Sequence, residues 1–454
     1  MGRTIARGTA WSGISRFGVL GFGFIGQALT ARLLAPADFG SYTLILSIAG
    51  SVALVAQLGL PQSTVRHIAR ANAAAGGSRA RPALATAAAA ALVAAGAASA
   101  LVLLPLAGLI DRAFPAVGVK AVLGLFAALA GIRILENIAP ELFRGVHDFR
   151  NGSIFGGFLS AVLLAAFTAV ALARADTASL ETALAINVAA SAAALIAAAA
   201  LLWRRLRSLP RAPRTLRGSL DLLSPAIWAA SVVNYSITQL DLWIVGTLGD
   251  GRDIALYSAA FRLATLVTTP LIIANFVVSP LVVELLAKEK PKRLQLVAQT
   301  VATVAGAPAF VALVVFATFG SWICGLVYGD FYIGAGIPLA LLTMGKIANV
   351  LTGPCAIALI MSGGQRTNLR ILILNLAVTL PMQVVGFRMA GLAGLATATS
   401  IGLAMQNIHQ VIAVRRHIGI LTTFNLPQTL RLIRGLASRD ALRDLLLPKR
   451  NRGA

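Results

Sequence analysis

The amino-acid sequence predicts an all-α polytopic membrane protein, with about twelve transmembrane helices in two six-helix bundles around a central cavity, and three observations lead there. Apolar stretches of about 20 residues, parted by short loops, take up nearly the whole chain, and about 20 helical residues cross a hydrocarbon core of about 30 Å with every backbone group bonded inside the segment. The composition, 58% hydrophobic and 12% charged with mean hydropathy +0.82, excludes a soluble core, because soluble domains carry about a quarter charged residues. The basic residues gather on alternate loops, which is how a bilayer orients a multispanning chain.

The first span, 12–34, follows basic Arg3 and Arg7 and lacks a small-residue cleavage site, so it reads as a retained signal anchor. Span two, 41–60, opens after Asp38 and stops at Pro61. Spans three to six are placed at 83–110, 119–139, 153–173 and 181–203, with Arg112 and Lys120, Arg144 and Arg150, and Arg174 in the loops between them. A basic stretch from Trp203 to Ser219, carrying Pro210 and Pro213, then cuts the apolar region into two sets of six. Spans seven to nine, 222–248, 257–285 and 295–323, are parted by Arg252 and by the run Lys288, Lys290, Lys292 and Arg293. Spans ten to twelve, 335–361, 370–388 and 392–414, are parted by Arg366 and Arg370 and then by Arg388. The organisation is therefore a bundle at 1–203, a basic cytoplasmic linker at 204–221, a second bundle at 222–414 and a basic cytoplasmic tail at 415–454.

A net charge of +23 would point to nucleic acid in a soluble chain, but here the cations mark one membrane face and no nucleic-acid partner is expected. Basic flanks resist translocation, so both termini are assigned to the cytoplasm and the number of spans must be even. In the tail, Leu430, Ile433, Leu436, Ala437, Ala441 and Leu445 recur at helical spacing with Arg431, Arg434, Arg439 and Arg443 between them. Such a helix, predicted within Thr422 to Leu447, lies on the inner leaflet, where anionic lipids attract about 1 kcal/mol per basic side chain; a solvated tail is the alternative.

The two sets of six carry a weak internal echo. Asp38 stands four residues before Tyr42 at the start of span two, and Asp253 four before Tyr257 at the start of span eight, with Pro61 and Pro280 near the ends of the helices that follow. Six spans restore orientation, so the halves read as parallel repeats about the membrane normal, unless the shared spacing is simply a common helix start with an N-terminal carboxylate.

Ionisable residues inside spans cost at least about 2.5 to 3.5 kcal/mol each, so those retained face water or a partner. Arg16 is near the inner end of span one, within snorkelling reach of the interface. Arg133 and Glu136 share a face of span four at i, i+3 and can neutralise each other. Asp241 and Arg262, on adjacent spans at about 10 Å depth, are expected to approach each other. Lys346 falls near the midplane of span ten with no carboxylate one turn away. Arg16, Arg133, Arg262 and Lys346 are the candidate substrate-binding residues, with Asp241 and Glu136 as coupling or helix-pairing residues. An interior with surplus positive charge suits an anionic cargo. Pro225, Pro270, Pro308, Pro338, Pro354 and Pro381 are expected to interrupt spans and permit hinging.

Catalysis lacks its usual reagents. His67, His147, His409 and His417 all fall near the inner face, Cys324 and Cys355 differ too much in depth to pair, no metal cluster forms, and there is no phosphate-binding Gly-rich loop ending in Lys-Ser/Thr. No cofactor is expected, and any coupling would be to H+ or Na+. Neither a selectivity-filter loop nor a ring of charge marks a channel, which leaves a secondary carrier.

The stretch Arg32-Leu33-Leu34-Ala35-Pro36-Ala37-Asp38-Phe39-Gly40-Ser41-Tyr42 resembles the arg-leu-leu-gly-pro-x-x-phe-gly-x-tyr opening of the polysaccharide transporters, flippases of lipid-linked O-antigen and exopolysaccharide repeat units. Asp241 to Gly246, Leu256 to Leu263 and Pro280 are similar too, so the resemblance spans about 5–415; Ala35 and Ala255 stand where the family more often has Gly. The family belongs to the superfamily of multidrug and toxic-compound extruders and the lipid II flippase. The resemblance implies two bundles that alternate between inward and outward openings in a bacterial cytoplasmic membrane. Undecaprenyl-diphosphate-linked oligosaccharide would move to the outer leaflet for O-antigen, capsule or exopolysaccharide synthesis; by charge, Arg16, Arg262 and Lys346 could escort it, whereas the family's interior charges vary and do not assign which cations touch substrate. Membrane lipids and other polysaccharide-assembly membrane proteins are the implied partners. The competing readings are a multidrug or small-molecule exporter of the same superfamily, which calls for a more acidic interior, and a membrane glycan-modifying transferase or polymerase, which calls for a reactive His or carboxylate set.

Overall fold

Hydrocarbon offers a backbone no partner but itself, and the apolar runs accordingly close into helices. The computed structural model describes residues 2–73, 80–103, 107–115, 118–175, 177–208, 225–425 and 427. The helices are α1 (Gly2–Leu33), α2 (Pro36–Ala56), α3 (Leu60–Ala73), α4 (Ala80–Leu101), α5 (Ala107–Ala113), α6 (Leu123–Gly145), α7 (Phe149–Ser153) and α8 (Leu159–Arg174). They continue as α9 (Leu180–Ser208), α10 (Pro225–Leu248), α11 (Gly251–Leu266), α12 (Thr269–Ala287), α13 (Pro291–Tyr328), α14 (Gly336–Thr352), α15 (Cys355–Met361) and α16 (Gln365–Ile418). A π turn at Ile154–Phe158 joins α7 to α8. Among the described residues the β structure is one isolated bridge, Leu34 with Ala178.

Eight of these segments are long and apolar enough to cross a membrane, or nine if α11 and the start of α12, bent by 50°, count as one span. The expected twelve is not reached by that count, in which α16 enters once although its 54 residues contain a break at Ala390 and Gly391. Gly391 adopts φ 58°, ψ −138°, a conformation that side chains resist, and the break falls where the sequence divides spans eleven and twelve.

Two compact units form, one of Met1–Ala259 with Cys324–Gly334, the other of Ala260–Ile323 with Ala335–Ala454. In the first, α6 is the hub, touching α2, α3, α4 and α9 through a stripe that includes Phe126, Leu129, Ile134, Ile138 and Leu142. Hydrocarbon provides no hydrophobic drive between apolar helices, so close approach relies on small residues: Gly131 lies on Ala95 and Ser99, and Ser99 Oγ donates to Ala127 O at 2.9 Å. The echo around Asp38 and Asp253 has a structural counterpart. Each Asp sits in the first turn of its helix, each Tyr is fully buried, and the two helix starts touch, with Gly40 against the carbonyl of Gly251 and Gly251 against Ala37.

In the second unit, Val267, Leu271, Ala305, Ala309, Ile347 and Val350 form one apolar cluster, and Val278, Val282, Leu285, Leu294, Cys355, Leu359, Val414 and Ile420 another. α14 lies along the second leg of α16, where Gly345 meets Ser400 and Ser400 Oγ donates to Leu341 O at 2.7 Å.

One expectation is corrected in part. Pro225 and Pro338 open α10 and α14 and do not interrupt them, whereas Pro270 stands at the 50° bend between α11 and α12, Pro354 in the break between α14 and α15, and Pro308 and Pro381 inside α13 and α16. An absent N–H costs nothing in a first turn, where it has no intrahelical partner. Thr422 is completely buried in the second unit, and the residues Leu430 to Leu445 that define the predicted surface helix, like linker residues 209–224, lie outside the described residues.

Candidate functional site

α6 carries the first candidate pair. Arg133 and Glu136, one turn apart, form an ion pair at 2.8 Å, and Arg133 Nη2 also reaches Asn187 Oδ1 on α9 at 3.4 Å. Asn187 Nδ2 in turn donates to the buried Tyr42 hydroxyl at 2.8 Å, linking α6, α9 and α2 in one polar chain. One residue along, Asn137 Nδ2 donates to Gln57 Oε1 at 3.2 Å. Glu136 Oε1 is buried and has no hydrogen-bond partner, so this carboxylate keeps an unused acceptor beside its arginine.

Asp241 on α10 is 4% exposed and its carboxylate is satisfied locally: Tyr257 on α11 donates its hydroxyl to Oδ2 at 2.8 Å, and the Leu242 N–H donates to Oδ1 at 2.9 Å. Tyr257 belongs to the echoed motif, so its spacing places the hydroxyl on the face of α11 turned to α10. Asp241 belongs to the first compact unit and Arg262 to the second. Nearby, Ser47 on α2 gathers Gln239, Trp243 and Tyr235 from α10 through its hydroxyl and carbonyl at 2.7, 3.0 and 3.2 Å.

Lys346 projects from α14 with its ammonium 4.6 Å from the ring centre of Phe261 on α11, a cation held by a quadrupole, and Arg262 is the next residue along α11. The exposed face of α14 is marked by Ile337 and Met344, 66% and 57% exposed and seven residues apart. Lys346 lies two residues beyond Met344, about 200° round the helix and so on the opposite side.

Arg16 is exposed on α1 and lies within electrostatic range of Arg144 and Glu141, which pair with each other in the last turns of α6. Arg144, expected in a loop, belongs to the last turn of α6, and Glu141 is a functional candidate that hydropathy alone does not single out. The signal was present in their i, i+3 spacing, the same as that of Arg133 and Glu136. The arrangement thus holds cations at several points along the helices, with Arg133 paired to Glu136 and Lys346 against the Phe261 ring. Among the described residues no three His, Cys, Asp or Glu side chains gather where they could hold a metal, and Cys324 and Cys355 are free and buried.

Several solved structures share the fold. The lipid II flippase MurJ in an inward closed conformation is similar at TM-score 0.71 and 14% identity over 95% of this chain and 92% of that one. An inward-facing multidrug resistance transporter of the MATE family is similar at TM-score 0.68 and 16% identity, covering 88% and 94%. A MOP-superfamily transporter from Pyrococcus furiosus, described as having a binding pocket of reversed polarity, follows at TM-score 0.60 and 16% identity, covering 92% and 95%. Comparison with curated proteins gives no match. A family model described as polysaccharide biosynthesis protein matches residues 5–286, more than half the chain. The protein is a multi-pass membrane protein with the fold of the MOP-superfamily transporters and flippases, and it belongs to the polysaccharide biosynthesis protein family.

Proposed function

We propose that this protein is a flippase that moves undecaprenyl-diphosphate-linked oligosaccharide from the inner to the outer leaflet of a bacterial cytoplasmic membrane by alternating access, with both termini in the cytoplasm. It would supply O-antigen, capsule or exopolysaccharide assembly and perform no covalent chemistry. The observation that carries this reading is Lys346, a cation deep in α14, turned from the exposed face and held over Phe261 beside Arg262. A diphosphate needs such donors to leave water, while its polyprenyl tail stays in lipid. Arg16 and Arg133 extend the series along α1 and α6.

Energy input is assigned to two of the carboxylates inside the helices. Glu136, with its free buried Oε1, and Asp241, held by Tyr257, are the coupling candidates for H+ or Na+. The purified protein in proteoliposomes, supplied with labelled lipid-linked oligosaccharide, should expose label on the opposite leaflet. Absence of transfer together with export of organic cations would replace this reading by that of an exporter. Glu136→Gln should remove most of the dependence of transfer on an imposed pH or Na+ gradient, and an unchanged gradient response rules Glu136 out.

A further inference from the structure

The helix that carries Lys346 is broken. α14 ends at Thr352 and α15 begins at Cys355, with Gly353 between them at φ 67°, ψ −154°, so the last carbonyls of α14 lose their intrahelical donors inside an apolar bundle. Two of them are satisfied from an unexpected direction. After α16 ends at the left-handed Gly419, the chain continues within the second unit as an irregular segment: the Phe424 N–H donates to Leu351 O at 2.7 Å, and Thr422 Oγ1 donates to Thr352 O at 2.8 Å. On its other side the same segment is tied to α13, where Gln295 Oε1 accepts from the Leu421 N–H at 3.1 Å and Gln299 Oε1 from Asn425 Nδ2 at 3.4 Å.

The fit is close. A Cβ at Gly353 would lie 2.6 Å from Thr422 O and 2.9 Å from Ala302, and the Phe424 ring covers bare Gly306 on α13. Across the break, α16 supplies a second polar support. Asn407 Oδ1 accepts from Asn349 Nδ2 at 3.1 Å and from Thr352 Oγ1 at 3.3 Å, and Gln410 Oε1 lies 3.6 Å from the Cys355 thiol. A helix broken in this way, with its freed carbonyls held by separable polar contacts, has the construction a hinge requires, since packed interiors switch between arrangements instead of deforming smoothly.

We propose that residues 421–425 are a removable latch on the α14/α15 hinge: seated, they hold the break at its present angle, and transport requires them to withdraw so that the part of α14 bearing Lys346 can swing. The proposal concerns the helix used by the flippase reading, but the latch can be tested without a substrate. Cys355, almost fully buried below the break, is a native reporter of its opening.

The test uses the full chain with Cys324→Ala, carrying Gln299→Cys and Asn425→Cys joined by a short reducible bis-thiosulfonate reagent. In proteoliposomes the joined protein should label at Cys355 with a small maleimide at least tenfold more slowly than wild type bearing Cys324→Ala alone, and reduction before a second joining cycle should be fully reversible. In the unjoined background, Thr422→Val, a mild change that removes one hydrogen bond, should speed Cys355 labelling severalfold. Equal labelling rates in joined, wild-type and Thr422→Val proteins overturn the latch. Transfer of lipid-linked oligosaccharide should fall at least tenfold on joining and return on reduction. Transfer that persists in the joined protein overturns the link to the cycle. A reduced protein that transfers nothing overturns the flippase reading instead, and the latch is then judged by Cys355 alone.

Discussion

Tyr257 and Asp241 illustrate what a single residue can and cannot disclose. Asp241 was legible as a costly intramembrane charge, and Tyr257 as half of an echoed spacing, but nothing in the sequence joined one to the other, because the partner of a buried carboxylate is set by helix rotation. Tyr257→Phe should destabilise the protein by about 1–3 kcal/mol, the cost of leaving a buried acceptor short of a donor, read as a lower unfolding temperature in detergent. With Asp241→Asn added, the loss should be less than the sum of the two single changes, and strict additivity would mean that the hydroxyl and carboxylate do not interact. Arg133 and Glu136 were more readable, since i, i+3 spacing on one helix fixes their meeting without reference to any neighbour. Their onward link through Asn187 to Tyr42 was hidden for the same reason as the Tyr257 bond.

Elements were readable where periodicity and length decide them and only partly where a backbone bends. The division at 388 and 392 matches the break at Gly391, and Pro270 and Pro354 mark real breaks, but Pro225 and Pro338 open helices instead of bending them. Contact between elements depends on glycines whose role is spatial. Gly50 on α2 has its bare Cα against the Tyr235 hydroxyl on α10, so Gly50→Ala should overpack this junction and destabilise by about 1–3 kcal/mol. Tyr235→Phe removes the obstructing oxygen and should recover much of that stability in the double variant, as measured by thermal unfolding. A Gly50→Ala protein as stable as wild type would show that α2 and α10 do not approach in this way.

For the whole molecule, fold class followed from hydropathy alone, and membership of the polysaccharide biosynthesis family bears out the resemblance read near Arg32 and Tyr42. The orientation rests on charge. Single cysteines placed at Arg366 and at Lys292, in a chain with Cys324 and Cys355 replaced, should resist an impermeant thiol reagent in intact cells, and those at Lys120 and Arg252 should react. The reverse pattern would invert the topology.

The account stands on fixed cations that escort an anionic headgroup, and leaflet transfer of labelled lipid-linked oligosaccharide in proteoliposomes measures that directly. Lys346→Ala and Arg262→Ala should each slow transfer by about ten- to a hundredfold, the kinetic equivalent of one lost charge-assisted hydrogen bond, with Lys346→Arg retaining more activity than Lys346→Ala. Wild-type rates in both alanine variants, at matched protein in the membrane, would contradict it.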